Sequence, residues 1–157
     1  MKKLAILGGM GPLATTIFYE KIINNTFANK DQEHINTLIS SNTSIVDRTD
    51  LILNNKDKNI LLNSIKEDLK LFEMANVSRI AIPCNTFHYF YDDVQKLTSI
   101  KIINMIEETM KKVSENNGKN IVVLGTKGTI DGKVYNKYSE KYNLNILDFN
   151  NFIKVNK

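Results

Sequence analysis

Tryptophan is absent from these 157 residues, cysteine occurs once and proline twice. One cysteine forms no internal disulfide, and with no CxxC pair or Cys/His cluster the chain lacks metal-ligand spacing. No run reaches the roughly 18 apolar residues that span a bilayer. The opening MKKLAILGGMGP has its short apolar run cut by Gly and Pro, which does not suit a secretory leader. A reduced, metal-free cytoplasmic protein without a membrane partner is expected. Arginine is nearly missing too, with Arg48 and Arg79 alone. The net charge of +4 and pI near 9.0 therefore come from lysines, scattered among Asp and Glu. A nucleic-acid footprint gathers on one face, so this pattern reads as a solvated surface with no nucleic-acid partner.

What is present, 42% hydrophobic and 24% charged residues, is the make-up of a globular domain. A chain of this length buries roughly two-thirds of its unfolded surface, enough for one core and too little for two full-sized domains. Short apolar runs at Leu4 to Leu7, Thr37 to Ile39, Arg79 to Ile82, Ile100 to Ile103, Ile121 to Leu124 and Leu144 to Leu147 read as strands. Helix-length segments lie between most of them, with apolar spacing near 3.6 at Leu61, Ile65, Leu69 and Phe72 and again at Ile103, Ile106, Met110 and Val113. Alternation of this kind predicts an α/β fold, a parallel sheet with helices on both faces. Functional groups then belong at the carboxyl ends of the strands. The segment from Asn42 to Lys58 shows neither period and reads as a long functional loop carrying Arg48.

A faint repeat lays KLAILGGMGPLAT on NIVVLGTKGTIDG, with Gly8 on Gly125 and Gly11 on Gly128. The first copy has over a hundred residues to complete a lobe; the second has fewer than forty before Lys157. Residues 1–103 are read as a first lobe and 104–157 as an incomplete second one. Apolar sheet or helix surface left open by the incomplete lobe predicts poor solubility or self-association, such as a homodimer.

Three segments offer chemistry. In Gly8-Gly9-Met10-Gly11-Pro12, glycines allow close backbone approach, Pro12 suits a first helical position, and the amides at the helix start favour an anion. Gly9, Gly11 and Ala14 also satisfy a GxGxxA dinucleotide pattern, but the second strand ends in Ser40-Ser41-Asn42 without the ribose-binding acid. A carboxylate-sized ligand is favoured over a dinucleotide. In Pro83-Cys84-Asn85-Thr86-Phe87-His88, the thiol sits at a strand end just before a helix, where partial positive charge favours thiolate. Asn85 and Thr86 add donors suited to a carboxylate, and His88 lies one turn on, on the same face, to tune the thiol. The bland alternative for Cys84 is a small buried hydrophobe. His34 is assigned to the surface. In Gly125-Thr126-Lys127-Gly128-Thr129, two hydroxyls and helix amides make another anion cradle, or only a helix cap. Arg48, in Asp47-Arg48-Thr49, is an always-charged fork for a second carboxylate.

ILGGMGPLAT, DQEH, DRT, PCNTFHYFYDDVQK, NMIEET and LGTKGT followed by Tyr135 together resemble the cofactor-independent aspartate racemases of the Asp/Glu/hydantoin racemase superfamily, over residues 1 to about 148. The resemblance implies two pseudo-symmetric lobes with the active site between them, and racemisation of an acidic amino acid without pyridoxal phosphate or metal. It implies two cysteines acting on opposite faces of the α-carbon, because a single acid/base tends to return the proton where it came from. By position Cys84 matches the first of these. Asn85, Thr86 and Thr126 match groups around the α-carboxylate and amino group, Arg48 matches the side-chain carboxylate binder, and Met10 lies in the matching glycine-rich loop. The family's second cysteine, in a GCTE-like motif, has no counterpart in these residues. The expected function is thus a thiol-based racemase lacking one of its two thiols, or a non-catalytic dicarboxylate-binding remnant.

Overall fold

The computed structural model describes residues 2–148. The order is β1 (Lys3–Gly8), α1 (Pro12–Asn24), β2 (Asn36–Ser41), α2 (Arg48–Leu53), α3 (Asn59–Ser64), α4 (Lys66–Met74), β3 (Arg79–Ala81), α5 (Tyr91–Gln95), α6 (Met105–Glu115), β4 (Asn120–Ile121), α7 (Lys127–Asp131), α8 (Asn136–Lys141) and β5 (Asn145–Ile146). A 3-10 turn, Thr86–Phe90, leads into α5. The first sheet is parallel, ordered β2-β1-β3, with Ile6 level with Ile39 and Ala81. A second sheet pairs β4 and β5, also in parallel.

Period-two alternation divides the cover. Ala5 and Leu7 of β1, with Ile80 and Ile82 around β3, join Leu51, Leu61, Ile65, Leu69, Phe72, Phe87 and Val94 in the main core. Ile6 and Ala81 are equally buried but face the other way, towards α1 and α6. That second face is thinly covered. Ile106 and Met110 of α6 pack with Val134, Tyr138 and Leu144 in a smaller second core under β4 and β5.

Five sequence expectations change in detail. The run Ile100 to Ile103 is not a full strand: it keeps a single parallel bridge, Ile80 to Ile102. The Gln95 carboxamide takes over the neighbouring backbone, donating to Thr98 and Ile100 carbonyls and accepting from the Ile102 amide. A side chain thereby closes the sheet edge where another strand would pair. The run Ile121 to Leu124 shrinks to Asn120–Ile121, because β5 reaches only these two residues. The helix over Leu61 to Phe72 is broken at Ile65 (φ −110°), where the Ser64 carbonyl accepts from Asn42 Nδ2. Finally, Asn42 to Lys58 is not irregular throughout. Asp47 caps α2 by accepting from the Thr49 and Asp50 amides at 2.7 and 3.1 Å. His34, expected on the surface, is half-buried.

Candidate active site

The loop after β1 is shaped by a close crossing. Gly9 has φ +89°, and a Cβ there would collide with the backbone of Asn42 at the end of β2. Asn42 is held in turn by Asp68, which also accepts from Ser40. Buried Thr15 closes the loop from inside, its hydroxyl accepting from Gly9 N at 2.9 Å and donating to Gly11 O at 3.1 Å. The Gly9 amide is therefore spent within the loop. Pro12 opens α1 as its spacing predicts.

Cys84 follows β3 and is half-buried against the main core, its amide donating to Ile82 O at 2.8 Å. His88 does not reach the thiol. Its Nδ1–H donates to the Cys84 carbonyl at 2.8 Å, and Nε2 accepts from the Met105 amide at 3.3 Å, tying the strand end to the start of α6. Burial holds the His88 pKa below its ordinary 6.5, outweighing the backbone partners Cys84 and Ile103, which favour the charged ring. The expected tuning of the thiol is replaced by a neutral brace on the backbone beneath it.

From the loop between β4 and α7 comes Thr126, at the N-cap of α7, accepting from the Thr129 amide at 3.3 Å. Its hydroxyl meets Thr86 at 2.9 Å and Thr129 at 3.2 Å, and Thr86 meets Thr129 at 2.8 Å. The three hydroxyls form a closed triangle joining the loop after β3 to α7. Gly128 lets α7 come this close, since a Cβ there would sit 2.8 Å from Thr49 Cα. Arg48 opens α2 and is half-buried. Its Nη1 donates to Ile45 and Val46 carbonyls at 3.2 and 2.9 Å, while Nε is buried without a partner. Among the described residues every ion pair is made by lysine, so the Arg48 charge has no carboxylate against it.

Met10, Arg48, Cys84, Asn85, Thr86 and Thr126, drawn from four separate segments, all line one cleft of about 390 Å³. Asp47, Thr49, Pro83, Gly125 and Thr129 complete its wall. Asp47 brings a negative charge, but its carboxylate is engaged at the start of its own helix. Thr129 enters with the anion cradle expected of Gly125 to Thr129, whereas Thr49 beside Arg48 was given no role. Sequence reasoning gave no role to Tyr135, whose hydroxyl donates to Asn85 Oδ1 at 2.8 Å; a contact fifty residues apart has no local signal. Among the described residues no three His, Cys, Asp or Glu side chains gather to hold a metal, and no helix is long and apolar enough to cross a membrane.

A parallel sheet with helices on both faces, a partial second lobe, and a polar cleft at the strand ends between the two cores define a class of two-lobed α/β proteins with an interlobe site. Residues 7–147 match the Asp/Glu/Hydantoin racemase family, and the chain belongs to it. It is 32% identical over 139 residues to the broad specificity amino-acid racemase RacX of Bacillus subtilis, covering 85% of this chain and 59% of RacX. An aspartate racemase from Picrophilus torridus superposes with a TM-score of 0.84 at 29% identity, over 94% of this chain and 62% of that one. An aspartate racemase homologue from Pyrococcus horikoshii shares the fold, with a TM-score of 0.76 at 24% identity over 99% and 69% of the two chains. The chain thus spans about three-fifths of the length of RacX and of the Picrophilus enzyme.

Proposed function

We propose that the cleft takes a small acidic amino acid, aspartate or glutamate, and that the Cys84 thiol exchanges a proton with its α-carbon without pyridoxal phosphate. The observation that carries this is the convergence on one cleft of a lone thiol, an arginine without a carboxylate partner, and the donors Asn85, Thr86 and Thr126. The name of the Picrophilus relative, an aspartate racemase, supports the acidic substrate, and that of RacX, a broad specificity amino-acid racemase, supports an amino acid more generally.

The chemistry assigns the parts. Removing an α-proton leaves negative charge on the carboxylate, and donors fixed beforehand at that carboxylate stabilise it most where water is excluded. Asn85, Thr86 and Thr126 suit that task, and Arg48 suits the side-chain carboxylate, as a planar fork already aimed by two backbone carbonyls. Cys84 is the acid/base for one face of the carbon. In this reading residues 1–103 are the lobe that carries it and 104–157 the second lobe that contributes Thr126, with residues 1 and 149–157 outside the described residues.

A second reading, binding without turnover, needs only the donors of the cleft, since Arg48, Asn85, Thr86 and Thr126 can hold a dicarboxylate without any reaction of the thiol. Incubation with L-aspartate in deuterium oxide separates the readings. Racemisation gives D-aspartate carrying α-deuterium; chemistry on one face gives α-deuterium with retained configuration; either is abolished by Cys84→Ala. Label in neither form, with L-aspartate still bound by calorimetry, leaves the binding reading. No binding at all defeats both.

A further inference from the structure

Tyr135 is outside the wall of the cleft, yet it is the polar partner that fixes the orientation of a residue inside it. It caps the start of α8, where its carbonyl accepts from the Tyr138 and Ser139 amides at 3.2 and 2.9 Å, and its ring packs against the second core. From there the phenol crosses to the loop after β3 and donates to Asn85 Oδ1 at 2.8 Å. Asn85 Nδ2 has no partner among the described residues, and Asn85 stands between the cleft and the groove bounded by α1 and α6, of which the cleft is the one lined mainly by polar groups. A carboxamide is planar, and without a constraint its oxygen and nitrogen ends exchange places by rotation at little cost. Held at its oxygen, it can present only N–H groups at the other end.

We infer that Tyr135 is a positioning residue that locks the Asn85 carboxamide with Nδ2 turned into the cleft, so that this edge offers a donor to a carboxylate and never an acceptor. The inference rests on the acidic amino acid reading for its ligand, but the lock itself exists in the free protein. Burial raises the Tyr135 pKa above the ordinary 10, which keeps the phenol a donor over the whole physiological range. The device also makes a first-lobe donor depend on a second-lobe residue.

Tyr135→Phe keeps the ring and deletes the oxygen. In 15N–1H spectra of the free protein, the Asn85 side-chain signal, assigned by its loss in Asn85→Ala, is expected to shift in Tyr135→Phe. The dissociation constant for L-aspartate is expected to rise about fivefold, the size of one lost neutral hydrogen bond. In the double variant Tyr135→Phe/Asn85→Ala the loss should match that of Asn85→Ala alone within about twofold, because one residue acts through the other. An unmoved Asn85 signal, or losses that multiply in the double variant, would overturn the inference; a purely structural role lowers Tm and leaves the dissociation constant unchanged. Asn85→Asp provides a check that does not rely on Tyr135→Phe folding. It retains the acceptor for Tyr135 and replaces the inward donor by an anion, so thermal stability is kept while L-aspartate affinity drops more than tenfold; unimpaired affinity overturns the orientation. If the unsubstituted protein takes up no L-aspartate, the acidic amino acid reading fails, and the Asn85 signal alone decides whether Tyr135 sets the carboxamide.

Discussion

Arg48 shows how a single side chain can be both anchored and available. Two carbonyls of its own loop hold Nη1, while no carboxylate among the described residues neutralises the charge. Charge-assisted hydrogen bonds contribute about 1.5–3 kcal/mol. Arg48→Ala should therefore weaken L-aspartate binding by roughly tenfold to a hundredfold, with succinate affected alike and alanine much less, measured by calorimetry. Equal loss for alanine would place the guanidinium on the α-carboxylate instead. His88 gives a second prediction at this scale. Its folded pKa is depressed from 6.5 by burial, so the unfolded chain takes up the proton first as the solution is acidified. The resulting stability is complete above about pH 6.5 and is lost as the pH falls from there towards the folded value. Urea unfolding between pH 7.5 and 5.5 should show falling stability in the unsubstituted protein, and a flatter profile in His88→Asn.

Between elements, the cleft depends on α7 lying against α2 and the loop after β3. Gly128→Ala places a methyl 2.8 Å from Thr49 Cα, backbone that cannot swing aside. The substitution should cost about 1–3 kcal/mol by overpacking and weaken L-aspartate binding by displacing Thr126. Thr86→Val removes the buried hydroxyl shared by Thr126 and Thr129, an expected loss of about 1–3 kcal/mol seen in thermal melts. These junctions also mark the boundary of what could be read in the chain itself. Three of the strands, the βα alternation and the cleft positions Cys84, Asn85, Thr86 and Thr126 were legible because strand ends and helix starts carry local signals, Cys-Asn-Thr after β3 and Gly-Thr before α7, whereas Met10 was reached only through the family resemblance. The helix α2 was hidden by its polar residues, although Asp47 followed by Asp50 is an N-terminal signature and Leu51 is its buried anchor. His88 was misassigned because spacing gives a face and not a partner: one turn from Cys84, it bonds the backbone rather than the sulfur. Gln95 closing a sheet edge, and Tyr135 reaching Asn85, are tertiary contacts with no periodicity to betray them.

Over the whole molecule the two faces of the first sheet are unequally served. One carries the main core. On the other, Ile6 and Ala81 look towards α1 and α6, which bound an apolar groove of about 770 Å³ lined by Ala14, Ile17, Phe18, Ile103 and Val113. Leu13 is 72% exposed and Ile17 43% exposed, and among the residues of α1 only Thr15 is buried. A thirteen-residue helix with so little buried is poorly supported by its own propensity. Apolar side chains of the groove and its rim, Leu13 and Ile17 among them, are thus left in water. Charge does not forbid a second copy from meeting this face, because Lys21, Lys112 and Glu108 at its margin mix both signs. Sedimentation velocity should therefore show mass rising with protein concentration, more strongly in high salt, where apolar contacts persist and the surplus positive charge is screened. Ile17→Lys, on the exposed groove wall, should return the chain to monomer with little change in Tm or in L-aspartate affinity, since the cleft does not include that residue. Mass independent of concentration up to the solubility limit would mean that the groove stays open to solvent, and that α1 is held by Pro12, Thr15 and the glycine loop alone.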